Sequence, residues 1–196
     1  MRRGGKIIPD NIIIIGVSTG GPKILGRLFL NMPKLNARVI LVQHMPKFIN
    51  DSLRNSLGLH TDMTLKIAED GDSIEAGNVY IAPSEIHLQL DRNRIIKLCE
   101  GEKVNSVRPS IDVAMKSITK MSRKNFIGVI LTGMGRDGAE GISHIKNVGG
   151  TTIAEDEDSC VIYSMPKAAI TTGDVDFIMT PDEIRDKLVE LVGVMS

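Results

Sequence analysis

A serine, a histidine and an aspartate each follow a predicted buried strand in this 196-residue chain. Ser18 lies in the segment GVSTGG, His44 in QHMP and Asp137 in TGMGRDG. A hydroxyl, an imidazole and a carboxylate can act as nucleophile, general base and the acid that orients the base. If the fold brings the three segments together, they predict a serine hydrolase.

Each segment also has a simpler interpretation when it is taken alone. The spacing Gly16-x-Ser18-x-Gly20 fits a nucleophile elbow, but the same glycines could cradle a phosphate at the start of a helix. A single histidine such as His44 is more often structural than catalytic. Asp137, ahead of a helix, is also favoured there by the helix dipole. Only the joint placement of the three side chains favours catalysis.

Apolar runs alternate with helical patterns along the chain. Strands are predicted at residues 11–16, 38–43, 63–68, 78–82, 126–131, 151–154 and 175–179, and helices at 22–30, 48–57, 110–121, 139–148, 165–171 and from 180 onward. Residues 86–90 and 95–98 are predicted to form a β-hairpin at a sheet edge. This alternation predicts a doubly wound, three-layer α/β/α fold with a mostly parallel sheet. Sites in such sheets lie at the carboxyl ends of the strands, where the three candidate residues stand.

Composition excludes several functional classes. Lys plus Arg and Asp plus Glu both number 24, so no surplus of positive charge favours nucleic acid, and the 3% aromatic content offers no stacking platform. Two cysteines, Cys99 and Cys160, are too few for a disulfide framework and too isolated for a zinc site. We therefore expect a reduced, cytoplasmic protein without metal or membrane insertion. Residues 1–10 are predicted to be a tail or linker remnant and residues 11–196 one domain.

Six segments resemble the signatures of the CheB-type protein-glutamate methylesterases of bacterial chemotaxis. They are IGVSTGG (15–21), QHMP (43–46), YIAP (80–83), RPSIDV (108–113), LTGMGRDGA (131–139) and SCVIYSMP (159–166). The resemblance extends from about Ile12 to the last helix. The chain order Ser, His, Asp also differs from the order Ser, Asp or Glu, His of the α/β-hydrolases.

This resemblance implies a serine esterase that hydrolyses glutamate γ-methyl esters on chemotaxis receptors, and it raises the further possibility of glutamine deamidation. Ser18 would be the nucleophile, His44 the general base and Asp137 the residue that orients the base. Backbone amides near Thr19 and Met134 would hold the oxyanion. The family chemistry requires no cofactor.

One departure from the family pattern concerns domain organisation. Family members commonly carry an N-terminal receiver domain, whereas only residues 1–10 precede the first predicted strand here. We expect either an excised catalytic domain or a protein without that switch, with a separate receiver domain as a possible partner.

Three other functions are kept as alternatives. The first is a serine hydrolase that acts on a non-receptor ester. The second is a nucleotide-binding module built on residues 16–21, which would favour an acidic residue at the end of the second strand, where Gln43 and His44 stand instead. The third is a silent interaction domain, which the intact Ser18, His44 and Asp137 disfavour.

Several other polar residues have weaker claims. Arg108 and Arg136 are candidates for docking an acidic receptor segment, with ordinary surface charge as an equal alternative. Cys160 lacks a visible neighbouring base, so it is not predicted to be a nucleophile. The acidic stretch at residues 155–158 is predicted to be a solvated loop at the rim of the site. Histidines predicted to be solvated or at the surface are His60, His87 and His144.

Overall fold

The structure is a computed structural model that describes residues 10–120 and 124–195. The predicted tail up to residue 9 lies outside the described residues, and so does Met121, the predicted end of one helix. Asp10 is already the first residue of the first strand.

The described residues form nine strands, in positions close to those predicted. They are β1 (Asp10–Val17), β2 (Arg38–Gln43), β3 (Thr64–Ile67), β4 (Asn78–Ile81), β5 (His87–Leu90), β6 (Ile96–Cys99), β7 (Lys124–Ile130), β8 (Thr151–Glu155) and β9 (Phe177–Met179). Seven of them form a parallel sheet in the order β3-β4-β2-β1-β7-β8-β9. This confirms the predicted doubly wound α/β class.

Helices cover both faces of the sheet in the described part of the chain. They are α1 (Gly21–Phe29), α2 (Asn50–Gly58), α3 (Ile111–Lys116), α4 (Ala139–Asn147), α5 (Ser164–Thr171) and α6 (Pro181–Val192). Alternate residues of β1 point to two separate cores, as expected of a strand buried on both sides. Ile13 and Ile15 pack with α1, α2 and α6, whereas Ile12 and Ile14 pack with α3, α4 and α5.

The direction in which the chain adds strands to the sheet reverses between β1 and β7. From β1 the chain winds outward through β2 and β4 on one side, and it returns to β7 on the other side. The loops after β1 and β7 therefore lead to opposite faces of the sheet. In open α/β sheets a crevice for ligands forms at this position.

The predicted hairpin is present, but it forms a separate two-stranded antiparallel sheet of β5 and β6 instead of an edge of the main sheet. Its apolar side chains Leu88, Leu90 and Ile96 belong to the core that contains α3, α4 and α5. The hairpin therefore covers a face of the sheet, because burying these side chains is more favourable than leaving them at an edge.

This placement corrects the prediction that His87 is solvated. His87 is buried, its Nδ1 accepts a hydrogen bond from the backbone N–H of Ser110 at 3.2 Å, and its Nε2 is 2.9 Å from the Glu102 carbonyl oxygen. The helix predicted from Ser110 is also shorter than expected, because α3 ends at Lys116. His144 is half-buried, with Nε2 2.6 Å from the Ile118 carbonyl oxygen, and only His60 is exposed as predicted.

Candidate active site

Ser18 stands at the turn where β1 leads into α1. Its backbone N–H donates to the Thr132 carbonyl oxygen at 2.9 Å, and its own carbonyl oxygen accepts from the N–H of Gly21 at 2.9 Å. Gly20 makes the turn possible, because it adopts φ +84° and because a Cβ there would meet Val161 at 2.4 Å. Ser18 is therefore held at the carboxyl end of the central strand, on a sharp strand-to-helix turn.

His44 follows β2, the parallel neighbour of β1. Its N–H donates to the Val17 carbonyl oxygen at 3.1 Å, so the residue directly after β2 is tied to the residue directly before Ser18. The ring nitrogen Nε2 lies 2.9 Å from Asp137 Oδ2. The other ring nitrogen, Nδ1, is buried and has no hydrogen-bond partner within the described residues.

Asp137 lies in the loop between β7 and α4, and its side chain is almost fully enclosed. Besides His44, its Oδ2 accepts from the backbone N–H of Ile111 at 2.6 Å. Its Oδ1 accepts from the Ser110 hydroxyl at 2.7 Å and from the Asn105 amide at 3.0 Å. Burial by itself would raise the pKa of Asp137, but hydrogen bonds from His44, Ile111, Ser110 and Asn105 outweigh burial and lower that pKa below its ordinary value. The carboxylate is therefore ionised.

A second buried carboxylate, Asp112, lies beside Asp137. Its Oδ1 accepts from the backbone N–H groups of Gly138 and Gly141 at 3.0 and 2.7 Å, and its Oδ2 accepts from the Asn105 amide at 2.8 Å. Burial raises the pKa of Asp112, and the neighbouring charge of Asp137 adds to this effect. The Asn105 amide thus donates to both carboxylates.

Sequence reasoning assigned no role to Asn105 or Asp112. Asp112 lies in the segment RPSIDV, which by itself does not indicate what the Asp112 carboxylate contacts. Asn105 occupies a tight turn with φ +53°, a conformation that asparagine tolerates better than most residues. An asparagine followed by a serine in a predicted loop is a signal for such a turn, but the signal does not say what the amide contacts.

The loop from Gly133 to Asp137 packs directly against Ser18. A Cβ on Gly133 would lie 2.7 Å from Ser18 Cβ. The Thr132 hydroxyl donates to the Thr19 carbonyl oxygen at 3.0 Å, which ties this loop to the Ser18 turn. The backbone N–H groups of Thr19 and Met134 make no hydrogen bond within residues 10–120 and 124–195. Two unpaired backbone donors therefore belong to the two segments that meet at Ser18.

Glu155, at the end of β8, corrects the prediction of a solvated acidic loop. It is fully buried, and it accepts from the Thr132 backbone N–H at 2.7 Å and from the Ser159 hydroxyl at 2.9 Å. Burial raises the pKa of Glu155 above its ordinary value. Because Thr132 also accepts from Ser18 N–H, Glu155 supports the Ser18 turn from behind. The signal in the sequence was weak, because only Ile153 and Ala154 are apolar in the part of β8 before Glu155.

Cys160 has the character of an inert thiol. It is half-buried, and burial followed by the negative charge of Glu155 raises the pKa of its thiol. Since the thiolate is the reactive form, these surroundings agree with the prediction that Cys160 is not a nucleophile.

The two candidate docking arginines lie in different surroundings. Arg108 donates from Nη1 to the Gly101 carbonyl oxygen at 2.7 Å, and its buried Nε has no partner among residues 10–120 and 124–195. Arg136 is exposed in the same loop as Met134. Arg108 borders a cleft of about 540 Å³ that reaches the candidate base. The cleft is lined by His44, Met45, Glu85, Lys103, Ser106, Val107 and Arg108.

The described residues contain neither a metal-binding cluster nor a helix that could span a membrane. Among residues 10–120 and 124–195, no three His, Cys, Asp or Glu side chains cluster in a way that could hold a metal ion. In the same part of the chain, no helix has the length and apolar character needed to cross a bilayer.

The fold and this constellation define a doubly wound α/β protein with a hydroxyl, an imidazole and a carboxylate at the switch point of its sheet. The family model described as CheB methylesterase matches residues 13–188, and the chain belongs to that family. The crystal structure of the Thermotoga maritima CheB methylesterase catalytic domain superimposes with a TM-score of 0.88 at 41% identity, covering 94% of this chain and 100% of that one.

Curated relatives share the same similarity at the sequence level. A Thermotoga maritima protein named protein-glutamate methylesterase/protein-glutamine glutaminase is 40% identical over 189 residues, which cover 94% of this chain and 55% of that protein. A Clostridium acetobutylicum protein of the same name is 39% identical over 194 residues, covering 97% and 56%. The chain thus spans little more than half the length of these relatives, and the family predicted from the six segments is confirmed.

Proposed function

We propose that this chain is a serine esterase that hydrolyses γ-methyl esters of glutamate side chains and releases methanol. The observation that supports this proposal best is the state of His44. One of its ring nitrogens is bound to Asp137. The other is buried, at the strand end next to Ser18, and has no hydrogen-bond partner in the part of the chain that the structure describes. The names of the relatives supply the substrate class, a protein glutamate ester.

The roles that we propose for the two ring nitrogens of His44 follow from its hydrogen bond to Asp137. Because the Asp137 carboxylate can only accept, Nε2 carries the proton and Nδ1 carries the lone pair. Nδ1 is therefore the basic nitrogen. In the chymotrypsin triad the aspartate binds Nδ1–H and Nε2 acts as the base. In the proposed mechanism the two ring nitrogens of His44 have these roles exchanged.

The reaction then proceeds in two halves. In the first, His44 Nδ1 takes the proton of Ser18 Oγ while Oγ attacks the ester carbonyl carbon. The N–H groups of Thr19 and Met134 donate to the oxyanion that forms. The bond to the methoxy oxygen breaks, that oxygen takes the proton from His44, and methanol leaves an acyl-enzyme.

In the second half a water molecule replaces methanol. His44 Nδ1 takes a proton from the water, whose oxygen attacks the acyl carbon. Collapse of the second tetrahedral intermediate releases the glutamate side chain and returns a proton to Ser18. Asp137 stabilises the imidazolium in both halves without taking up the proton.

We propose chemotaxis receptors in the cytoplasm as the substrates, in keeping with the family. Deamidation of glutamine side chains uses the same steps with ammonia as the leaving group, and the glutaminase name of the relatives supports it. We further propose that Arg136, exposed in the loop that also carries Met134, and Arg108, at the cleft that reaches His44, attract an acidic receptor segment.

Methanol release from methylated chemoreceptor membranes tests this proposal. The 196-residue chain should release methanol, and the Ser18→Ala variant should lose on the order of 10⁶-fold in turnover, as in other serine triads. Near wild-type release by folded Ser18→Ala would refute the role of Ser18. Circular dichroism of both proteins is the control for folding.

A second candidate is a hydrolase of the same mechanism that acts on another ester. A serine-reactive fluorophosphonate separates the two candidates, because it labels an activated serine whatever the natural substrate is. Labelling at Ser18 without methanol release from receptors would favour the other ester. No labelling of the folded wild type would favour a silent domain.

A further inference from the structure

Gln43, the last residue of β2, connects the turn that carries Ser18 with the turn that carries His44. Its side chain is 2% exposed. Its amide nitrogen Nε2 donates to the Ser18 carbonyl oxygen at 2.9 Å and to the His44 carbonyl oxygen at 2.9 Å. One amide group thus uses both of its hydrogens to join the backbone of two segments that belong to different strands.

This connection lies where the backbone hydrogen bonds between β1 and β2 end. Val17 and Gln43 are the last paired residues of β1 and β2, and the bond from His44 N–H to the Val17 carbonyl oxygen is the final contact of that ladder. Beyond this bond the two segments separate, because the chain after β1 enters α1 and the chain after β2 continues to Pro46. Buried backbone carbonyl groups need donors, and Gln43 supplies one to each of the two diverging segments.

The space around the Gln43 amide is closely fitted to it. A Cβ on Gly21 would lie 1.9 Å from Gln43 Oε1 and 2.8 Å from Gln43 Cδ. The amide is therefore wedged between the end of the sheet and the first turn of α1, and only glycine at position 21 leaves room for it. The carbonyl oxygens of Ser18 and His44 accept only, so they set the orientation in which both amide hydrogens face them.

The same amide leaves its own oxygen unpaired. Gln43 Oε1 is buried and has no hydrogen-bond partner within the described residues. A buried unpaired oxygen is unfavourable, and an apolar side chain of equal length would avoid it. The two donated hydrogen bonds are therefore what the amide contributes at this position.

We propose that Gln43 is a positioning residue of the active site, which sets the separation of Ser18 and His44 so that Ser18 Oγ meets His44 Nδ1 during proton transfer. This proposal rests on the proposed roles of Ser18 and His44. It predicts that the amide affects the chemical step more than substrate binding, because it contacts the backbone of both residues and lies outside the cleft beside His44.

Asn11 provides a matched control. It is also 2% exposed, and its Nδ2 donates to the carbonyl oxygens of Asn36 and Val192 at 2.8 and 3.5 Å. Its Oδ1 is likewise buried and finds no hydrogen-bond partner among the residues that the structure describes. Asn11 lies near the amino end of β1, opposite to the end that carries Ser18. Asn11→Leu therefore removes the same kind of contacts at a distance from the site.

The experiment compares Gln43→Met with Asn11→Leu by thermal unfolding and by kcat and KM for methanol release. Both variants should lose stability. Gln43→Met alone should lower kcat, by on the order of 10²-fold for a displacement of about 1 Å, with little change in KM. A Gln43→Met variant whose kcat equals that of Asn11→Leu would overturn the proposal, since Gln43 would then be merely structural.

A second variant and a second measurement test the proposal if Gln43→Met does not fold or if receptors are not the substrate. If Gln43→Met does not fold, Gln43→Glu preserves the side-chain shape but removes donor hydrogens, and it should show the same selective loss of kcat. The rate of fluorophosphonate labelling at Ser18 should fall in parallel in the Gln43 variants. Because labelling needs no receptor, a slow Gln43 variant beside a wild type that labels but releases no methanol would support the role of Gln43 while refuting the receptor substrate.

Discussion

Asp112 accepts hydrogen bonds from backbone N–H groups at the start of α4, and Asp137 accepts hydrogen bonds from backbone N–H groups at the start of α3. Asp112, in the first turn of α3, accepts from the N–H groups of Gly138 and Gly141 where α4 begins. Asp137, just ahead of α4, accepts from the N–H of Ile111 and, at 3.3 Å, from that of Asp112 itself. The first N–H groups of a helix have no partner within it. These hydrogen bonds therefore provide acceptors for N–H groups in the first turns of both α3 and α4. They also fix the position of the Asp137 carboxylate that contacts His44.

Asp112→Ala should destabilise the fold. It leaves the Gly138 and Gly141 N–H groups buried without an acceptor, which costs about 3 kcal/mol in the free energy of unfolding. Urea unfolding measures this loss. Asp70→Ala is the control, because exposed Asp70 also accepts from a backbone N–H, that of Leu98 at 2.9 Å, where water can replace it. Equal losses in the two variants would contradict the prediction.

Asp137→Asn should lower kcat for methanol release by about 10⁴-fold, as in other triads. An amide nitrogen facing His44 would donate to Nε2 and move the ring proton to Nδ1, which removes the base. An amide nitrogen at the Oδ1 position would instead face the Ser110 and Asn105 donors. A folded Asp137→Asn variant with turnover close to wild type would show that Asp137 does not orient His44.

Gly133→Ala should abolish the proposed methanol release. The added Cβ would lie 2.3 Å from Met165 Sδ and 2.7 Å from Ser18 Cβ, so Ser18 or the loop that carries Met134 must shift. Fluorophosphonate labelling and methanol release both measure the effect. Gly26→Ala in α1 is the control, because an added Cβ there would meet no described residue within 4 Å apart from its chain neighbours and the backbone of its own helix. It should keep full activity and gain about 1 kcal/mol in stability; a fully active Gly133→Ala would contradict this packing argument.

Glu155→Gln should change how stability depends on pH. Burial raises the pKa of Glu155 from its ordinary value of 4.5, so the folded state holds the proton to higher pH than the unfolded state does. Wild type therefore loses stability from this group as pH rises above 4.5 through the folded-state pKa. Glu155→Gln lacks that loss, and its unfolding free energy relative to wild type should increase with pH across this window.

Urea unfolding at several pH values above 4.5 tests this expectation. Glu157→Gln, at an exposed position in the same segment, controls for the removal of one negative charge. A difference between Glu155→Gln and wild type that is flat or falls with pH would show that burial does not favour the protonated Glu155 in the folded state.

Cys160→Ala should retain turnover near that of wild type. The thiol is half-buried beside Glu155, and its raised pKa keeps it protonated at neutral pH. Methanol release by the variant and slow alkylation of wild type by iodoacetamide are the two measurements. An inactive but folded Cys160→Ala would assign this residue a part in the site.

Much of the architecture was predictable from local sequence. The β-branched run of β1 and the apolar runs of β2 and β7 identify buried parallel strands, and the segments after them identify Ser18, His44 and Asp137. These predictions depend only on residues that are close in the sequence, namely an apolar run and the polar residues that follow it. Six family segments in order were specific enough to identify the CheB methylesterase family, which the comparisons confirm.

The tertiary structure decided which elements cover one another and which polar groups meet. The β5–β6 hairpin covers a face of the sheet, so His87 is buried, and β8 carries Glu155 into the interior. The Asn105 amide reaches Asp137, 32 positions away, and Asp137 selects Nε2 of His44 across 93 positions. A local pattern specifies the direction of a side chain relative to its own element. The partner it meets depends on how distant elements pack, and that packing exists only in the folded chain.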